Sequence, residues 1–76
     1  MFHDEPKKVY LNQKVWIDIN FDPEQIKNLY QLRNKYDLVS VPTKIPVIRV
    51  EVSIWKYRDL IRDLMKDNIA CWVVAH

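Results

Sequence analysis

The chain has 76 residues, 49% of them hydrophobic and 29% charged, a globular composition of single-domain size. Its formal net charge of +2 is spread evenly along the sequence and leaves no domain-wide basic footprint of the kind nucleic-acid binders carry. Glycine is absent, where average usage of ~7% would supply about five. That excludes P-loops, dinucleotide fingerprints and GXXG clamps, because each needs glycine for backbone to approach a phosphate.

The longest apolar run, residues 69–75, is far short of the ~20 residues that span a bilayer. The N-terminus is acidic and lacks the apolar stretch of a signal peptide. A single cysteine, Cys71, has no partner for an internal disulfide. These features predict a cytoplasmic protein without membrane association.

Residues 1–8 read as a mobile tail ahead of a single α+β domain over 9–76. Residues 14–21 alternate, with Val15, Ile17, Ile19 and Phe21 on one side and Trp16, Asp18 and Asn20 on the other, the signature of a half-buried strand. Val9, Tyr10 and Leu11 either extend this strand or pair with it through a turn at Asn12 and Gln13. Asp22, Pro23 and Gln25 are an N-cap, a first-turn proline and the distal half of a capping box. The helix they open sets Ile26, Leu29, Leu32 and Tyr36 on one face, with Arg33 at its rim.

Residues 38–41 form a candidate short strand, followed by a turn over 42–46. The strongest strand signal follows, with Ile48, Val50, Val52 and Ile54 alternating with Val47, Arg49, Glu51 and Ser53. Ser53 is the expected cap of a second helix whose apolar positions are Tyr57, Leu60, Ile61, Leu64 and Met65. Asn68 is the expected stop, since asparagine tolerates the left-handed conformation. The last run, 69–75, is apolar on both faces and is expected to be a strand well inside the structure.

The resulting order, βαββαβ, predicts a ferredoxin-like sandwich. Without the strand at 38–41, the alternative is a three-stranded β-α-β-α-β sheet with two helices on one face.

Chemistry-bearing residues are sparse. The two histidines, His3 and His76, stand at opposite ends, and Cys71 has no ligand-type neighbour, so neither a metal site nor a cofactor site is expected. Asp18 and Glu51 fall on the polar faces of adjacent predicted strands and are the one carboxylate pair with a foothold for acid–base chemistry. Arg49, two residues from Glu51 on the same face, makes a cross-strand ion pair the simpler expectation. Trp16, Arg49 and Trp72 share that face and mark a possible interface, either for a homodimer or for stacked nucleic-acid bases.

The second helix carries more information. Arg58, Arg62 and Lys66 form one stripe at i, i+4, i+8, and Asp59, Asp63 and Asp67 form another. Like-charge neighbours at that spacing each cost about 0.2–0.5 kcal/mol, so helix stability alone does not favour the pattern. Trp55 projects beside the basic stripe, and tryptophan and arginine are the residue types enriched at interaction hot spots. Trp55, Arg58, Arg62 and Lys66 are therefore the expected partner-binding residues. The function expected is that of a small non-enzymatic adaptor or inhibitor docking onto a larger protein, of the kind phage and mobile elements encode. A nucleic-acid-binding module is the alternative, and a small enzyme built on Asp18 and Glu51 a remote one.

Overall fold

A computed structural model describes residues 13–20 and 22–74. The predicted tail, the 9–12 segment, Phe21 and both histidines lie outside the described residues. The elements are strand β1 (Lys14–Asn20), helix α1 (Ile26–Tyr36), strand β2 (Val39–Val41), strand β3 (Ile48–Ser53), helix α2 (Tyr57–Lys66) and strand β4 (Ala70–Val74).

Alternation in β1 works as a half-buried strand should. Ile17 and Ile19 are fully buried and Val15 packs against the same core. Val50 and Val52 of β3 join them from the neighbouring strand, in the register Ile17↔Val50 and Val15↔Val52. Each such side chain contributes about 1.5–3 kcal/mol when removed from water. Helix α1 adds Leu32 and Tyr36, and α2 adds Leu60 and Leu64, with Leu38 and Ile69 closing the core from the loops. Both helices thus cover one face of the sheet.

Among the described residues the sheet has four strands in the order β2-β3-β1-β4, every neighbouring pair antiparallel. The strand β2 forms, which sets aside the three-stranded alternative. Strands β1 and β2, joined through α1, hold β3 between them, and β3 and β4, joined through α2, hold β1 between them.

Without glycine the chain reverses at the helix ends on two polar residues with positive φ, Asp37 (53°) and Asn68 (57°). Behind Asn68, the Ile69 N–H reaches the Leu64 carbonyl at 2.9 Å and the Asn68 N–H reaches Met65 at 3.0 Å. This is the paired closure expected of a left-handed stop. Asp37 does the same for α1, with the Leu38 N–H on the Arg33 carbonyl at 3.0 Å.

Four expectations are corrected. Ser53 ends β3 rather than capping α2; its Oγ accepts the Trp55 N–H at 3.3 Å in a turn, and α2 begins at Tyr57. The helical segment does start with Asp22 as N-cap, Pro23 in the first turn and the capping-box bond from the Asp22 N–H to Gln25 Oε1 at 3.3 Å, but that first turn (Pro23–Gln25) is 3-10 and α1 proper begins only at Ile26. Met65 is 66% exposed, because the core is centred on Leu60 and Leu64 and Met65 lies beyond its edge. Finally, among the described residues β4 is an edge strand and not an interior one, with Trp72 and Val73 both exposed. An apolar run on both faces does not distinguish a central strand from an uncovered edge.

Candidate interaction surfaces

The sheet face turned away from the helices is assembled by register. Asp18 lies opposite Arg49 on one side and opposite Trp72 on the other, while Trp16 lies opposite Glu51 and Val74. Arg49 grips Asp18 with two bonds, Nε to Oδ1 at 2.7 Å and Nη2 to Oδ2 at 3.0 Å. The Arg49 guanidinium also sits 5.6 Å from the Trp16 ring centroid, and Trp16 Nε1 donates to Glu51 Oε2 at 3.0 Å. Trp72 is the diagonal neighbour of Trp16 on this face.

Asp18 is only 1% exposed despite its place on the outer face. The hydrogen bonds from Arg49 hold its carboxyl below the ordinary carboxylate range, against the upward pull of desolvation, and Asp18 in turn raises Arg49. A buried carboxylate with a bidentate guanidinium is a satisfied ion pair. The carboxylates of Asp18 and Glu51 take separate donors, and Asp18 is shifted opposite to a general acid. Two of the three predicted sheet-face residues, Trp16 and Arg49, are thus locked in one network, and Trp72 alone is left at the surface.

The charge stripes of α2 find their reason in the helix pair. Asp63 accepts a hydrogen bond from the Tyr36 hydroxyl and one from Lys35 Nζ at 3.0 Å, both on α1. These donors hold Asp63 below the usual carboxylate range, the Tyr36 bond contributing most. Burial raises Tyr36, assisted by its bond to Asp63, and Asp63 raises Lys35. At the other end of the interface, Gln25 Nε2 donates to the Asp67 carbonyl at 3.2 Å. Of the acidic stripe only Asp63 bonds to α1; Asp59 and Asp67 are exposed, as are the basic residues Arg58, Arg62 and Lys66. Trp55, in the turn before the helix, is 66% exposed, the most open of the tryptophans whose surroundings are described.

The sequence missed Asp63 as a stitch between helices. The signal was present: a like-charge stripe on one helix requires partners elsewhere. Arg33 forms no ion pair with Asp37; Asp37 instead takes Lys56 Nζ at 3.1 Å. Arg33 lines an apolar groove of about 200 Å³ between α1 and the β2–β3 edge, with Ile26, Tyr30 and Ser40. Cys71 is half-buried and burial pushes its thiol up, as for a packing residue rather than a nucleophile. Among the described residues, no group of three or more His, Cys, Asp or Glu is placed to hold a metal ion, and no helix is long and apolar enough to cross a membrane.

Compared with known proteins, the chain matches no family model, no curated protein and no solved structure.

Proposed function

We propose that this chain is a small protein-interaction module, an adaptor or inhibitor that acts by docking onto a larger protein through Trp55 and the basic crest of α2. The observation that carries the reading is the division of labour on α2. Its Asp63 is consumed in packing against α1, while Arg58, Arg62 and Lys66 are exposed along the helix and Trp55, in the turn before it, packs little of its surface. A tryptophan left 66% exposed forgoes much of the stabilisation its burial would give, and interfaces recover that stabilisation.

The strand order β2-β3-β1-β4, with all neighbours antiparallel and two helices on one face, supports reading the architecture as ferredoxin-like. That architecture hosts many functions and adds nothing to the functional reading itself. The lone, half-buried Cys71 supports a cytoplasmic setting.

The test is affinity capture from nuclease-treated lysate, comparing the wild-type chain with Trp55→Ala and Arg62→Glu. Both positions are exposed, so the fold should persist, as circular dichroism would verify. Loss of specific captured proteins in both variants is the expected result. An unchanged capture profile, or capture abolished by the nuclease alone, removes the reading.

A further inference from the structure

On its helix side the sheet is only partly covered at the β2 edge. The register of β2 on β3 sets Val39 and Val41 opposite Glu51 and Arg49, on the outer face, and Ser40 opposite Val50, on the helix side. A branched apolar residue at that inward position would fill the space beside α1, and the small serine leaves it open. The result is a groove of about 200 Å³. Leu38, Ser40, Ile48 and Val50 line it from the sheet side, Leu38 and Val50 being buried. Helix α1 lines it with Ile26, Leu29, Tyr30 and Arg33. An apolar cavity of about 150 Å³ holds a benzene molecule, so this space suits one ring or one branched alkyl group and little more.

The groove has a cation without a counter-charge. Among the described residues, Arg33 takes part in no ion pair or hydrogen bond through its side chain, and no carboxylate lines the groove. Asp37, one helical turn further on, bonds to Lys56 Nζ at 3.1 Å instead. Tyr30 and Ser40 add two hydroxyls to the lining, and neither is hydrogen-bonded to another described residue. A guanidinium presents parallel N–H donors that match a carboxylate, and hydroxyls donate to the same kind of oxygen.

We propose that this groove binds a small organic acid, one apolar ring or branched chain carrying a single carboxylate. The apolar body covers Ile48 and Val50, and the carboxylate pairs with Arg33 in reach of the Tyr30 and Ser40 hydroxyls. Larger ligands fit less well, because pockets for drug-sized molecules run from about 300 to 1,000 Å³. The site goes beyond the docking reading above: α1, the Leu38 turn, β2 and β3 form it, without Trp55 or any residue of α2.

The probe is phenylacetate, titrated into the full, isotopically labelled chain, with phenylacetamide as its uncharged isostere. The expected result is saturable amide shifts at Tyr30, Arg33, Ser40 and Val50, with the millimolar affinity usual for so few atoms. Phenylacetamide on the wild-type chain, and phenylacetate on Arg33→Met, should each bind at least about tenfold more weakly, as the loss of one charge-assisted pair requires. Ser40→Val fills the groove and should abolish the shifts while the rest of the spectrum is retained. Four results overturn the site: no saturable shifts at these residues, equal binding of acid and amide, unchanged affinity in Arg33→Met, or a doubled solution mass with the groove amides protected before ligand is added. A fifth is binding of acetyl-alanyl-leucine through its free carboxylate at least about tenfold more tightly than phenylacetate, which would make the groove a seat for a protein chain end. The titration uses neither Trp55 nor Arg62, so its failure and the failure of lysate capture are separate results.

Discussion

The Tyr36 hydroxyl on α1 donates to the Asp63 carboxylate on α2, and with Lys35 it ties Asp63 into the seam between the two helices. Tyr36→Phe removes the donor while keeping the ring in the core. Because the acceptor is charged, the variant should lose about 1–3 kcal/mol, read from denaturant unfolding at unchanged m-value. A loss near zero would mean the bond adds nothing to the packing of the ring.

The pH dependence follows from the same seam. Asp63 and Asp18 both have folded-state pKa values below those of an unfolded aspartate. Their contribution is complete above the unfolded value of about 4 and is lost as pH falls through the lower folded values. Stability should therefore decline only below about pH 4 on their account. Asp63→Asn should flatten that acid limb in thermal scans between pH 2 and 5. At the alkaline end the sign is inverse for Tyr36, whose neutral form the fold favours: its contribution is lost as pH rises above about 10.

Asn68 and Asp37 provide the left-handed turns that glycine usually provides. Asn68→Ala keeps the β-carbon but removes the polar group that offsets its clash, and should cost about 1 kcal/mol. Asn68→Gly should be neutral or slightly stabilising. Chemical denaturation of the pair against wild type checks the ordering, and equal stability for alanine and glycine would refute it.

The two neighbouring residues Leu64 and Met65 should respond oppositely. Leu64 is fully buried and Met65 is 66% exposed. Leu64→Ala should lose about 2–5 kcal/mol, and Met65→Ala should stay within about 0.5 kcal/mol. Comparable losses at both positions would contradict the placement of the core.

Periodicity was enough to locate β1, β3 and both helices, because alternation and 3.6-residue spacing are set by which side chains meet the core. Even the three-residue β2 was legible in the run of β-branched residues at Val39 and Val41. What the sequence did not disclose depends on spatial neighbours. The exposure of β4 depends on which strands flank it, and seven consecutive apolar residues carry no record of that. Asp63 looked like surface charge until α1 was beside it. Asp18 and Arg49 were readable as an ion pair because strand alternation and pairing alone bring them together. The bond from Trp16 to Glu51 also required the register.

The strand order has a consequence for how the chain acquires its structure. The first half, β1-α1-β2, contains two strands that never touch, and the second half, β3-α2-β4, contains two more that never touch. Every ladder in the sheet that includes β1 joins the two halves, and the β2–β3 ladder joins them as well. Neither half is a folding unit on its own. The sheet exists only when the halves interleave, and its pairings are all distant in sequence or span the turn between halves. Folding should accordingly be all-or-none and slower than that of a helical bundle of equal length. A nick in the loop over 42–47 would leave two fragments, each with strands whose partners among the described residues all lie in the other.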